Sequence, residues 1–149
     1  MPTSTAEQAI SSLNVVKEID IDAPITVAFA AMLEQLGPEN SSPHGPMPMA
    51  LEPWPGGRWY RDLGNNAGHL WGHVQVIKPP TLLEVTGPLF MSYPAMSHVQ
   101  YRLVEQGRGT RLTLRHRALG EISPEHRDGV QKGWEHMLAG IKARAISKK

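Results

Sequence analysis

The sequence predicts a single α+β domain, in which a long C-terminal helix lies on a curved antiparallel sheet of six to seven strands. Short strand patterns separated by turn residues fill residues 49 to 120, and one apolar stripe at helical spacing follows them. A chain of 149 residues can bury a core of this kind without disulfide bonds.

The chain opens with a predicted strand and a predicted helix. Apolar residues alternate from 13 to 21, with Lys17 as the single exception, which is typical of a half-buried strand. Apolar residues then recur at helical spacing up to Leu36, after Pro24 and before Gly37. We interpret residues 1 to 12, which are small and polar, as a flexible tail outside the domain.

The segment from 38 to 48 is predicted to be a loop. Each of its prolines removes an amide donor and restricts the residue before it, so no helix fits this spacing. The prolines are Pro38, Pro43, Pro46 and Pro48.

The segment from 49 to 120 is predicted to form an antiparallel meander of six strands. Turn residues such as Gly56-Gly57 and Pro79-Pro80 separate the strands. The last two strands alternate most clearly, and their inward faces carry Val99, Tyr101, Leu103, Leu112, Leu114 and His116.

The C-terminal helix is predicted to cover this inward face. Ser123 is a good N-cap and Pro124 a good first residue. The stripe that follows spans about five turns and includes Val130, Trp134, Met137, Leu138, Ile141 and Ala145. Because glycine has no side chain, we expect Gly133 to let the helix backbone approach the sheet closely. The domain is predicted to span residues 13 to 146, and 147 to 149 form a short tail.

Composition excludes several classes of function. Fifteen Lys and Arg against 14 Asp and Glu leave a formal charge of +1, so no nucleic-acid groove is indicated. Cysteine is absent, which excludes disulfides and thiolate chemistry. No signal peptide and no apolar stretch of membrane-spanning length is present, so we expect a cytoplasmic protein that does not insert into a membrane.

Motifs for metal binding and nucleophilic catalysis are missing from the sequence. His69 and His73 lie four residues apart on one predicted strand, about 13 Å, which is too far for one ion. No His-Glu-x-x-His or Gly-x-Ser-x-Gly pattern occurs. No metal, cofactor or assigned catalytic residue is therefore predicted.

His116 is the inward polar residue that could carry function. As a core residue its ring would be satisfied by a neighbouring group. As a pocket residue it would orient one hydrogen-bonding group of an apolar guest. In an enzyme it would be the general base, with Tyr101 as its partner.

The stretch LEPWPGGRWYRDLG, residues 51 to 64, places several large rings around Pro55-Gly56-Gly57. Glycine tolerates the backbone angles of a sharp turn, so we expect these rings to face either the core or a cavity mouth. Nearby loops hold methionines that either seal the loop ends or form an adaptable apolar surface: Met47, Met49, Met91 and Met96.

Two segments, 51 to 87 and 109 to 143, resemble the Hsp90-ATPase-activator homologue group of the START and Bet v 1 type superfamily. The resemblance covers about residues 13 to 146. Its motifs are Gly56-Gly57-Arg58, Trp71-Gly72-His73-Val74 before Pro79-Pro80, Thr113-Leu114-Arg115-His116, and Gly133-Trp134.

The resemblance implies a helix-grip fold, in which the sheet wraps around the C-terminal helix and leaves a cavity. Relatives include binders of apolar molecules, cyclases, hydrolases and chaperone partners. The family often has a second short helix with a Trp after the first helix, where this chain has the Pro-rich loop 38 to 48.

The leading hypothesis is that the cavity binds an apolar or aromatic small molecule, lipid-like or polyketide-like. The predicted ligand-binding residues are those of the inward sheet face and the helix stripe, with two strand tryptophans: Trp59, Trp71, Val99, Tyr101, Leu103, Leu112, Leu114, His116, Trp134 and Leu138.

Two hypotheses of other classes remain open. A cyclase or hydrolase using His116 and Tyr101 ranks lower, because the sequence offers no second charged inward residue. A chaperone partner is suggested by the family's name alone. A homodimer is compatible with the sequence, which does not require one.

Overall fold

The structure, a computed structural model, describes residues 9–91 and 94–149. These described residues form a seven-stranded antiparallel sheet in the order β1-β9-β8-β7-β6-β5-β4, a separate two-stranded hairpin β2-β3, and two helices. Their bounds are β1 Ser11–Ile21, α1 Ile25–Leu36, β2 Ser41–Ser42, β3 Gly45–Pro46, β4 Ala50–Leu51, β5 Arg58–Gly64, β6 Ala67–Lys78, β7 Leu82–Gly87, β8 Ala95–Gln106, β9 Gly109–Gly120 and α2 Pro124–Lys148.

The predicted fold class is confirmed: a meander of antiparallel strands carries a long C-terminal helix. Strand β1 begins at Ser11, two residues before the predicted start. Residues 1 to 8 of the predicted tail lie outside the described residues. No helix in the described part of the chain is both long enough and apolar enough to cross a membrane.

The inward faces of β8 and β9 are those that the alternating pattern predicts. Every second residue from Val99 to Leu103, and from Leu112 to His116, is buried, while the residues between them are more accessible. Lys17, the exception in β1, lies partly buried, and its Nζ is 3.7 Å from Glu135 Oε2 on α2. An ion pair between strand and helix therefore accommodates the charge.

A β-bulge explains why the inward faces of β5 and β6 are hard to assign from the sequence. Trp59 pairs with Gly72 and Tyr60 pairs with Leu70, so Trp71 is an extra residue on β6. The bulge breaks the period of two. As a result Trp71 is buried while His73 is exposed, although residues two apart on a regular strand would share a face.

The turn at Gly56-Gly57 separates rings with different roles. Gly56 has φ of +83°, and a Cβ at Gly57 would lie 2.0 Å from the Glu52 carbonyl oxygen. Before the turn Trp54 is 55% exposed, and after it Trp59 is fully buried. The Trp59 Nε1 donates a 2.8 Å hydrogen bond to the Leu36 carbonyl at the end of α1. Trp59 is thus a core ring that satisfies a helix terminus.

Helix α2 begins as predicted and continues further. The Ser123 side chain accepts a hydrogen bond from the His126 amide, and the helix runs for 25 residues, about seven turns rather than five. The expectation for Gly133 is wrong, because a Cβ there would meet no atom within 4 Å. The close approach occurs at Gly140, where a Cβ would lie 3.0 Å from the Gln35 side chain of α1.

Candidate functional site

A pocket of about 300 Å³ lies between the first half of α2, the hairpin segment after α1, and the loop after β7. Trp71 of β6 also lines the pocket. The predicted loop 38 to 48 thus forms one wall, as a short hairpin. The lining residues are Asn40, Ser41, Ser42, Pro43, Met47, Trp71, Phe90, Met91, His126, Gly129, Val130, Gly133, Trp134, His136 and Met137.

Aromatic rings and thioethers make up much of the wall. The Phe90 ring packs edge-on against Trp71 and Trp134, with centroid distances of 5.6 and 5.9 Å. Phe90 is 40% exposed, so it stands between these buried indoles and the surface. Of the four loop methionines, Met47 and Met91 line the pocket. Their flexible side chains can adapt to apolar guests of different shape.

Two glycines leave space along α2. Gly129 and Gly133 are one helical turn apart, both line the pocket, and a Cβ at either would meet no atom within 4 Å. Glycine costs a helix about 1 kcal/mol relative to alanine. Larger side chains here would occupy the pocket without striking the backbone.

A polar contact joins the hairpin to the helix in the pocket wall. Ser41 Oγ of β2 lies 3.2 Å from His136 Nε2 of α2, and both side chains are partly buried. Nearby, the Asn40 side chain is 2% exposed, and its Nδ2 donates a 3.1 Å hydrogen bond to the Leu36 carbonyl.

His116 lies in the core beside the pocket, and both of its ring nitrogens are engaged. The Trp134 Nε1 donates a 3.0 Å hydrogen bond to His116 Nδ1. Because Nδ1 accepts, the neutral ring carries its proton on Nε2, which lies 2.8 Å from Ser97 Oγ. Burial lowers the pKa of His116 from 6.5 to about 4. The ring is therefore neutral at pH 7, with no free lone pair to act as a base.

Tyr101 is buried in the core as well. Its ring packs edge-on against Trp134 at 6.1 Å, and its hydroxyl has no hydrogen-bond partner among the described residues. Burial raises the pKa of Tyr101 well above its usual value. The hydroxyl is thus protonated and desolvated, and Tyr101 does not line the pocket.

The ten residues predicted to bind a ligand divide into two groups. Trp71 and Trp134 line the pocket. The others lie in the packed core outside its lining: Trp59, Val99, Tyr101, Leu103, Leu112, Leu114, His116 and Leu138. Seven of these side chains lie on strands and Leu138 lies on α2, and all eight are at most 3% exposed.

Sequence reasoning did not assign the remaining lining residues. The sequence does contain one signal for these residues. Two glycines four residues apart lower the stability of a helix, which indicates that the absence of side chains at these positions serves another purpose. Phe90 and Ser41 lie in irregular or very short segments, where no periodicity indicates direction. Within residues 9–91 and 94–149, no group of three His, Asp or Glu could hold a metal ion.

Solved structures of other proteins share this fold. An uncharacterised protein from Rhizobium leguminosarum superimposes with a TM-score of 0.73 at 15% identity, covering 93% of this chain and 97% of that one. CalU16 from Micromonospora echinospora gives 0.63 at 23% identity, with 93% and 85% covered. The Bet v 1 homologue Ara h 8.0201 gives 0.65 at 12% identity, with 92% and 99% covered. At such identities the likeness shows the fold alone, which is Bet v 1-like.

The sequence itself assigns the family. No curated protein matches the chain significantly. The profile of the family described as Activator of Hsp90 ATPase homolog 1-like protein matches residues 22–145, from the start of the first helix region to near the end of α2. The chain therefore belongs to the family of Activator of Hsp90 ATPase homolog 1-like proteins.

Proposed function

We propose that this protein binds an apolar or aromatic small molecule in the pocket beside α2. The observation that carries the proposal is a space of about 300 Å³ in which ten of the fifteen lining residues are apolar or glycine. Sites for small organic molecules are typically concave, mostly apolar and about 300 to 1,000 Å³ in volume.

The volume favours a compact guest. It lies at the lower end of the usual range, so a molecule of a few fused rings suits it better than a lipid with two acyl chains. Met47, Met91 and Met137 contribute flexible walls. We therefore expect several compact aromatic molecules to bind, with affinities that depend on shape.

The geometry favours binding over catalysis by the residues that the sequence nominated. His116 uses both ring nitrogens for Ser97 and Trp134, and the Tyr101 hydroxyl is buried outside the pocket lining. A general base must reach its substrate within hydrogen-bond distance. Chaperone association, homodimer formation and cytoplasmic location remain predictions.

The test combines native mass spectrometry of the purified protein with titration of apolar fluorophores and naphthalene derivatives. Gly133→Leu is expected to fill the pocket and to lower affinity at least tenfold, because its side chain enters open space. Gly133→Ala is the matched control, since it adds only one methyl group at the same position.

The melting temperature of each variant distinguishes a loss of binding from a loss of folding. Leucine and alanine both favour helix more than glycine, so neither variant should lower the melting temperature. Saturable binding by the wild type that Gly133→Leu weakens at least tenfold supports the proposal. Absence of binding across the panel, or binding unchanged in Gly133→Leu, contradicts it.

A further inference from the structure

We propose that the pocket selects apolar alcohols and phenols, whose hydroxyl group is bound by the Ser41–His136 pair. The inference rests on the proposed function and adds a chemical class to it. The sequence nominated His116 as the polar contact for a guest. The Ser41–His136 pair takes that role here, because it lies in the pocket wall.

The pair is placed to meet a guest. Ser41 belongs to β2 in the hairpin wall and His136 to the helix wall, and their polar atoms are 3.2 Å apart. Both side chains are partly buried, so a hydrogen bond made there is shielded from water more than one at the surface. Rings and thioethers make up much of the adjoining wall, so a polar group of the guest has few partners away from this pair.

The hydrogen-bonding capacity of Ser41 indicates a hydroxyl group. A serine hydroxyl has one donor and two acceptor positions. If His136 Nε2 carries a proton and donates to Ser41 Oγ, the serine O–H remains available to a guest acceptor. If Ser41 donates to Nε2, the serine oxygen remains available to a guest donor. A hydroxyl group both donates and accepts, so it fits either tautomer of His136.

Three further polar side chains line the wall: Asn40, Ser42 and His126. Ser42 Oγ accepts a 3.1 Å hydrogen bond from the His44 amide inside the hairpin. Asn40 Nδ2 donates to the Leu36 carbonyl at the end of α1, and its buried Oδ1 has no hydrogen-bond partner among the described residues. The Ser41–His136 contact joins the hairpin wall to the helix wall, so a guest hydroxyl bound there meets both elements.

The test uses 2-naphthol and 2-methylnaphthalene, which have similar shape and differ in hydroxyl against methyl. Affinities of both are measured for the wild type, Ser41→Ala and Ser42→Ala by titration. We expect Ser41→Ala to weaken 2-naphthol binding about three- to tenfold, the worth of one ordinary hydrogen bond, and to leave 2-methylnaphthalene within twofold. The ratio of the two affinities should not change in Ser42→Ala.

The ratio separates this inference from the proposed function. If both compounds bind the wild type and the ratio is unchanged in Ser41→Ala, the hydroxyl assignment is overturned and the binding function stands. If neither compound binds the wild type, the hydroxyl assignment fails, and the proposed function fails only when the rest of the panel of fluorophores and naphthalene derivatives does not bind either.

His136→Phe provides a second variant, which keeps a ring in the wall and removes the nitrogen. A fall in the affinity ratio in this variant supports the pair as the recognition element. An unchanged ratio in a variant that melts at the wild-type temperature contradicts it.

Discussion

The indole Nε1–H of Trp134 donates a 3.0 Å hydrogen bond to Nδ1 of His116 and thereby fixes which nitrogen of that ring carries the proton. The chain continues from His116 Nε2 to Ser97 Oγ, and from the Ser97 hydroxyl to Met91 Sδ at 4.0 Å. Trp134 and Met91 also line the pocket. A polar chain in the core therefore holds two pocket side chains in place.

Stability should depend on pH through His116. Burial lowers its pKa from 6.5 to about 4, so the unfolded chain takes up the proton first as the pH falls. The stabilisation is fully present above pH 6.5 and is lost as the pH falls towards 4, by about 3 kcal/mol in total. Urea unfolding between pH 7 and 5 should show a slope approaching 1.4 kcal/mol per pH unit.

His116→Gln is the control for that slope, because glutamine keeps a donor and an acceptor and does not titrate. Carboxylates with lowered pKa, such as Glu52 at about 2, lose their contribution only at lower pH. The difference in slope between the wild type and His116→Gln should thus be confined to the range from 6.5 to 4. A wild-type slope equal to that of the variant contradicts a buried neutral ring.

Removing the hydroxyl group of Tyr101 should not destabilise the protein. The hydroxyl is buried without a partner among the described residues, and an unsatisfied buried group costs about 1 to 3 kcal/mol. We expect Tyr101→Phe to raise the free energy of unfolding by about 1 kcal/mol, measured by urea denaturation. A loss of more than 1 kcal/mol would mean that the hydroxyl group is bonded in solution.

Two glycines of α2 should respond differently to alanine. At Gly133 the added methyl group meets open space, so Gly133→Ala should stabilise the protein by about 1 kcal/mol through helix propensity. At Gly140 it lies 3.0 Å from the Gln35 side chain. Gln35 is held by hydrogen bonds to the Glu39 carbonyl and from Arg144 Nε, and cannot easily move.

Thermal unfolding of the two variants compares these sites directly. Gly140→Ala should be less stable than Gly133→Ala by at least about 1 kcal/mol, because overpacking offsets the gain in propensity. Equal stabilities would show that the α1–α2 contact at Gly140 has room for a methyl group.

Phe90 should control access to the aromatic wall. Its ring stands over Trp71, His116 and Trp134, with centroid distances of 5.6 to 6.2 Å. Phe90→Ala is expected to enlarge the pocket, to weaken binding of a naphthalene by at least threefold and to increase quenching of tryptophan fluorescence by acrylamide. Phe90→Leu, which keeps an apolar cover, should lie between the wild type and Phe90→Ala. Unchanged quenching in Phe90→Ala contradicts this role.

The sequence predicts the fold well where one period holds over a whole element. Alternation in β8 and β9 gives the inward direction of Val99 and His116, and the caps of α2 give its start. It does not assign the inward face of β6 around Trp71, because a β-bulge is a local departure from the period. The sequence does not identify the hydrogen-bond partners of His116, because Ser97 lies on β8 and Trp134 on α2.

The pocket is predicted less well than the fold for the same reason. Its wall combines a hairpin, a loop and a helix with Trp71 of β6, and only the packing of the whole chain brings Ser41, Phe90 and Gly133 together. The resemblance to the family predicts a cavity between sheet and helix, but local sequence does not determine which residues border it.

The most direct measurement of the central claim is an amide NMR titration of the protein with 2-naphthol. Binding in the pocket predicts saturable shifts concentrated at Ser41, Gly129, Gly133 and Met137, with little change on the outward face of β1 and β9. Shifts absent from these amides, or concentrated on the outward face of the sheet, would contradict the account.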